Sequence, residues 1–416
     1  MTDQSATVTA SDGRKLLVPD PDVIERAVDA TLMRWPPGNF DSTTDLIAAP
    51  SKNPTSFTNG NFPYSHSGPF MAGPFKGLSV QNNNVHGLNS DATSEADAAP
   101  LRFAIDKELF LAILLQRSSN AKYRWDPKSG KKPSEILLKN DPTPGHPSMN
   151  HVVALPTYPK TTLAEPTSLW NSDPGLPVWH KINAMSAWQN TIIPPPPPRN
   201  LAIDAATRQL GRQTFEQAGC AKCHSGPMMT NNRVIAQPEI GTQPVRARGM
   251  SNTFASYDPN AIGYAFDQKV PLPDKPRTIE FSTRELDPEQ IKLAYGWPPT
   301  SGGYKVPALV GLWWSAPYLH DGGVAVGVGR DKQLGLPGTL LSRTLPDPPN
   351  SLRALIDRDL RRRVVDANHA DEDLRKMNVE GIGHAFWVDA VGGFTSQQQE
   401  ALILYLLTYR PPPRLP

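Results

Sequence analysis

Gly219-Cys220-Ala221-Lys222-Cys223-His224-Ser225-Gly226-Pro227 holds both cysteines of the chain, three positions apart, with a histidine directly after the second. Two thiols at that spacing can each add to one vinyl group of a haem, and the adjacent imidazole then sits under the iron. A zinc site would need a second cluster of thiolate or imidazole ligands, and the sequence has none. A redox dithiol would need a βαβ frame, whereas the flanks here are rich in turn-forming residues. The expectation is one covalent haem c on Cys220 and Cys223, with His224 as the proximal iron ligand.

Composition sets the frame around this motif. At 416 residues the chain exceeds one ordinary domain, so two units are expected. Hydrophobic residues make up only 38%, and 45 prolines are about twice the usual share. Both point to long irregular connections around modest cores, and with the helical spacings in the sequence the expected fold is mainly α with long irregular loops. The balance of 42 basic against 40 acidic residues gives no reason to expect nucleic acid or a membrane surface. No run of about 18 apolar residues appears, so no membrane span is expected. Haem c is attached outside the cytoplasmic membrane in bacteria, which implies a periplasmic or secreted protein. Met1 to Leu17 lacks the apolar stretch of a signal peptide, so a leader already removed, or a true start further upstream, is expected.

Five prolines, Pro194 to Pro198, divide a loop-rich region, 1–193, from a stretch expected to be a cytochrome c-like haem domain, 199–416. They predict a stiff, exposed polyproline II connector. Before them, Asp22 to Met33 places Val23, Ala27, Ala30 and Met33 on one helical face, and Asp106 to Gln116 predicts a second helix carrying Leu109, Ala112, Ile113 and Leu114. Residues 42–91 are rich in Asn, Ser, Gly and Pro and predict loop. Within them Tyr64-Ser65-His66-Ser67-Gly68-Pro69 echoes His224-Ser225-Gly226-Pro227, a weak repeat signal. After the prolines, Asp204 predicts the N-cap of a helix that runs to about Ala218 and stops at Gly219. Thr395 or Ser396 caps a last helix, with Leu402, Tyr405, Leu406 and Tyr409 on one face and Pro411 to Pro413 ending it. In c-type cytochromes the helix before the haem motif crosses the C-terminal helix through a small residue against an aromatic. Gly211 and Phe215 against Leu402 and Tyr405 resemble that crossing.

Further phrases extend the likeness. Gly211-x-x-x-Phe215 leads into the haem motif. Tyr304-Lys305-Val306-Pro307-Ala308-Leu309 and Leu312-Trp313-Trp314-Ser315-Ala316-Pro317-Tyr318-Leu319-His320-Asp321-Gly322-Gly323 follow. Together these resemble the C-terminal half of the bacterial di-haem cytochrome c peroxidase superfamily. Gly383-His384-Ala385-Phe386 and the doubled tryptophan look closest to its rubber-oxygenase-like branch. The similarity covers residues 200–416, and Arg34-Trp35-Pro36-Pro37-Gly38 extends it weakly. Members of that superfamily carry two haem motifs; this sequence has one. The resemblance implies that His384 matches the distal iron ligand. It implies that His320 lies near the haem edge, bonding a propionate or bracing its loop through Asp321. It also implies a calcium ion between domains, although no acidic loop here has the ligand spacing of a dedicated site.

Other residues have readings of their own. Met228, Met229 and Met250 are thioether candidates for the sixth iron position. Arg246 and Arg248 offer planar forks suited to haem propionates. Trp313 and Trp314 suit packing beside a haem, or electron transfer across its edge. Arg358, Arg361, Arg362 and Arg363 read as a solvated basic face, with docking of an acidic redox partner as the alternative. No Ser-His-Asp, phosphate-loop or dinucleotide pattern with supporting context appears. The functional expectation is a one-haem c-type cytochrome that passes single electrons to or from a partner protein. The alternative is a peroxidase- or oxygenase-type enzyme whose second haem domain is lost or lies upstream.

Overall fold

Aspartate side chains start most of the helices. Asp20, Asp106, Asp204, Asp347, Asp357 and Asp371 each accept a hydrogen bond from a backbone N–H of the first turn, and Thr395 forms a reciprocal capping box with Gln398. Each such cap satisfies an amide that the helix itself leaves unpaired and is worth about 1 kcal/mol. The computed structural model describes residues 6–40, 48–52, 64–65, 68–69, 92–116, 118, 121–140, 188, 191–249, 251, 262–264, 275, 278–280 and 287–412. The fold is mainly helical, and its named strands are only two or three residues long. Met250 and most of the expected 42–91 loop lie outside the described residues, as do His66 and Ser67 of the echoed phrase.

The chain forms two compact units. The first comprises Met1–Met33, Phe70–Trp188 and Asn252–Asp287. It contains a hairpin of Thr7–Thr9 with Lys15–Leu17, and helices α1 (Pro21–Leu32), α2 (Ala92–Phe103), α3 (Lys107–Leu115) and α4 (Pro133–Asn140). Val8, Val18, Leu111, Leu115, Trp125 and Leu137 are among its core residues. The buried carboxylate of Glu108 ties α3 to α4 by accepting from the amide and hydroxyl of Ser134. Helix α1 forms where its spacing predicts, but Val23, Ala27, Ala30 and Met33 are exposed. Its Asp20 cap and its proline in the first turn suffice to start it.

The second unit comprises Arg34–Pro69, Gln189–Ser251 and Pro288–Pro416. This division does not follow the proline run. Residues 34–52 join the second unit because they bond to it: Asn39 Nδ2 donates to the Asp321 carbonyl, Lys52 N to the His320 carbonyl, and Asn378 Nδ2 to the Ala48 carbonyl. Trp35 packs on the cluster of Ala325, Leu336, Leu374, Met377 and Val379. The prolines are mostly exposed, and the carbonyl of Pro195 accepts from Trp313 Nε1 at 3.1 Å. Helices α5 (Ala205–Gln217), α6 (Gln237–Ile240), α7 (Pro288–Tyr295), α8 (Pro348–Ile356), α9 (Arg358–Ala370), α10 (Glu372–Lys376) and α11 (Ser396–Leu407) build this unit. A short antiparallel pair, Val234–Ala236 with Gly303–Lys305, accompanies them.

Helices α5 and α11 cross as their sequences predict. The backbones meet at Gly211, where a Cβ would lie 2.3 Å from the Ala401 carbonyl oxygen and 2.5 Å from Tyr405 Cβ. One turn on, the Phe215 ring packs edge-on against Tyr405 at 6.1 Å between centroids. Leu402, Ile403, Leu406 and Leu407 then reach a core shared with Leu352, Ile356, Leu360, Val364 and Val388. Each such buried side chain contributes about 1.5–3 kcal/mol by leaving water.

Gly211→Ala tests the crossing. Alanine is the better helix former by about 1 kcal/mol, yet its methyl has nowhere to go except by forcing the helices apart. The expected net effect is a loss of about 1–3 kcal/mol in urea unfolding. Unchanged or increased stability would show that the close approach is not required.

Candidate functional site

Helix α5 ends at Gln217 with Ala218 as its C-cap, and Gly219 then takes φ +77°, a left-handed turn that glycine adopts at little cost. Cys220 to Lys222 continue as a single 3₁₀ turn, and His224 N donates to the Cys220 carbonyl at 2.9 Å. One helical turn therefore brings Cys220 and His224 to the same side. Cys220 packs against the core cluster beside Phe215 and Leu402. Burial pushes its thiol up to about 11, and burial also raises the Cys223 thiol. Neither is the activated thiolate of a redox dithiol.

His224 is oriented by its own loop. Its Nδ1 lies 3.1 Å from the Met229 carbonyl, with the Pro307 carbonyl a second partner. A carbonyl can only accept, so Nδ1 carries the proton and Nε2 keeps its lone pair, the arrangement of a metal-ligating histidine. Met229 itself has φ +52° and is buried in the core, while Met228 packs on Ala308 and Val310. Both side chains act as packing groups.

The ring that faces His224 is His384, at 6.3 Å between centroids and 57° between planes. Two imidazoles bound to opposite sides of one first-row metal, with each nitrogen about 2.0 Å from it and each ring centre about 1.2 Å further out, would have centroids roughly 6.4 Å apart. Burial lowers the basicity of both rings. His384 falls to about 3, with the nearby His224 and Arg361 adding to the effect. Both rings are therefore neutral at physiological pH, the form that binds metal. The Nδ1 of His384 is buried and has no hydrogen-bond partner among the described residues, and its backbone sits at φ +53°. A buried orphan nitrogen costs about 1–3 kcal/mol, and a non-glycine residue held left-handed is the kind of strain that concentrates at functional positions. The ring's own hydrogen bonds do not account for its placement.

A clamp of backbone and buried charge holds this loop. Gly381 and Gly383 have φ +77° and +79°. A Cβ on Gly383 would lie 2.2 Å from Thr242 N, and one on Gly381 would lie 2.7 Å from the Gly323 backbone. His384 N donates to the Ile240 carbonyl at 2.7 Å. Arg361, 4% exposed, donates to four carbonyls: Ala354 at 2.9 Å, Leu355 at 3.0 Å, Gly381 at 2.8 Å and Gly383 at 3.0 Å. Asp321, 2% exposed, accepts from the amides of Gly323, Glu380 and Gly381. Burial lowers Arg361 to about 10, so it stays charged at neutral pH.

The other expected residues fall around this centre. His320 stacks on Tyr304 at 4.1 Å, and burial lowers it to about 4. Asp321 braces the loop of His320, as the resemblance implies, by joining it to residues 380–381. Arg246 is buried and interacts electrostatically with His320, whereas Arg248 points outward. Trp314 is exposed. The basic run of α9 is not one solvated face. Arg361 is buried, Arg358 pairs with Asp389 at 2.8 Å, and Arg362 and Arg363 pair with Asp359 and Asp331. The sequence reading placed Arg361 on a solvated face, although helical spacing aligns it with the buried Val364 and Asn368.

Among the described residues no group of three or more His, Cys, Asp or Glu side chains is placed to hold a metal ion. A metal between His224 and His384 would have to bring its remaining ligands with it, as a porphyrin iron does. Comparisons with family models, with curated proteins and with solved structures found no match to this chain.

Arg361→Lys tests the clamp, because one ammonium cannot reach four carbonyls in a fixed fork. We expect a loss of about 3 kcal/mol in stability and faster hydrogen exchange of the His384 amide than of the Leu406 amide in α11. Exchange that changes equally at both amides would show that Arg361 supports the core in general and not this loop.

Proposed function

We propose that this protein is a c-type cytochrome that carries one covalently attached haem and passes single electrons to or from a partner protein. The observation that carries the reading is the pair of neutral imidazoles, His224 and His384, facing each other at the spacing of two ligands on one metal. The haem, when bound, supplies a one-electron iron couple. Cys220 and Cys223 would hold it through two thioethers, and His224 and His384 would be its protein ligands. Arg246, the buried member of the arginine pair, suits a propionate. With both imidazoles bound to it, the haem would supply outer-sphere electron transfer in place of peroxide or oxygen activation.

The chain's own residues perform the rest. Met229 and Pro307 fix the tautomer and tilt of His224. Arg361 and Asp321 hold the loop of His384 through hydrogen bonds to residues 380–383. Phe386 packs edge-on against His384 at 5.1 Å and is 40% exposed, which shields the ligand while leaving an aromatic edge toward solvent. Among the described residues no helix is long and apolar enough to cross a membrane. The site of haem c attachment gives the proposal a periplasmic or secreted location.

Two measurements test it. Acidified organic solvent should leave haem on the wild-type protein, and Cys220→Ala with Cys223→Ala should release it; haem that extracts freely from the wild type removes the central premise. The wild type should be low-spin and inert to added cyanide or peroxide, and His384→Ala should turn it high-spin and open to exogenous imidazole. A wild type already high-spin and reactive with peroxide would instead assign the chain to the peroxidase- or oxygenase-type enzymes.

A further inference from the structure

The arginines of α9 are each paired or buried within the protein, but those at the far ends of α5 and α11 are not. A groove of about 1040 Å³ lies between the segment after the prolines, the first half of α5 and the last turns of α11. Its floor is apolar and aromatic: Leu201, Ile203, Tyr405 and Tyr409, with the two tyrosines edge-to-face at 6.1 Å. Around it stand Arg199, Arg208, Arg212 and Arg410, and among the described residues no carboxylate lines it. Arg212 pairs with Glu216 at 3.1 Å on the exposed side of α5. Among the described residues, Arg199, Arg208 and Arg410 form no ion pair. In a chain whose net charge is only +2, this is a local concentration of unneutralised positive charge over an apolar floor.

We propose that this groove docks an acidic segment of a partner protein, one that carries aliphatic side chains among its carboxylates. Arginine forks suit carboxylates, and arginine and tyrosine are the residue types that dominate such contacts. The wide mouth, with Pro198, Ala202 and Ala205 exposed, fits a protein surface better than an enclosed small molecule. A nucleic acid is the poorer match. Its affinity grows with the number of phosphates neutralised along a basic track, and the groove offers four cations around an apolar floor. The inference stands on the groove alone. Its position gives it a use: Tyr409 donates to the Pro227 carbonyl at 2.8 Å, three residues beyond His224, so a docked chain would lie close to the haem motif.

Binding of a short fluorescein-labelled peptide of glutamates and leucines to the full chain, followed by anisotropy, tests the proposal. Arg199→Glu with Arg208→Glu and Arg410→Glu should raise Kd at least about tenfold, and high salt should do the same to the wild type. Arg330→Glu with Arg343→Glu and Arg362→Glu changes the net charge equally at other exposed positions and should leave Kd within about threefold. Ile203→Ser, which alters no charge, should weaken the leucine-containing peptide and spare an all-glutamate one. Thermal melts check that each variant remains folded. Equal weakening by the two triple variants, or no binding by the wild type, overturns the proposal. So does a single-stranded DNA oligonucleotide that displaces the peptide at lower concentration than unlabelled peptide, which would assign the groove to nucleic acid. None of these readouts depends on haem.

Discussion

The contact of α5 with α11 at Gly211 fixes everything placed around it. With no Cβ between them, the two backbones approach to a distance that any side chain would prevent. That contact sets where each helix delivers the segment attached to it. The C-terminal end of α5 delivers the Cys220–His224 turn, and the N-terminal end of α11 follows the loop that carries His384. Gln217 at the end of α5 bonds Gln398 at the start of α11, so the two functional segments leave the crossing side by side. The same crossing thus relates the segments that carry two imidazoles 160 positions apart in the chain.

Alignment alone would not hold His384, because its loop is uphill in isolation. Three of its four residues are left-handed, and one of those is not glycine. The offset comes from groups that would themselves be costly if unpaired. A buried guanidinium is several kcal/mol uphill without partners, yet Arg361 satisfies its donors on carbonyls, two of them in this loop. Asp321 does the same with amides and lies near enough to raise the basicity of Arg361 in return. The loop and its clamp are therefore stable only together. Residues 34–52 add to the arrangement from a distant part of the sequence, since Asn39 bonds the carbonyl of Asp321 itself.

Local signals in the sequence were legible where short-range physics decides them. Asp204 and Thr395 cap the two crossing helices, Gly219 ends the first, and the pairing of Gly211 with Tyr405 follows from helical periodicity. The facing of His224 and His384 depends on tertiary placement, and only the phrase around His384 hinted at it. Arg361 was hidden for a different reason: three consecutive arginines look like a solvated face unless the 3.6-residue period is read through them. The membership of residues 34–52 in the second unit has no local signature at all, because it rests on hydrogen bonds to residues some 270 or more positions away.

Charge counting misplaces electrostatic function for the same reason. Helix α9 carries the densest run of arginines, and folding pairs or buries each of them. Arg199, Arg208 and Arg410 are scattered in sequence and come together only because α5 and α11 run antiparallel across Gly211. The crossing therefore has two ends with different properties. One end gathers the two desolvated imidazoles among apolar neighbours, where the proposed reading would seat the haem. The other gathers solvated cations over tyrosines, where long-range attraction acts on a partner before contact. Tyr409 links the two, lying on the floor of the groove while bonding the turn just beyond His224. Capture and chemistry can thus sit at opposite ends of one helix pair, close enough to communicate and different enough in polarity not to interfere.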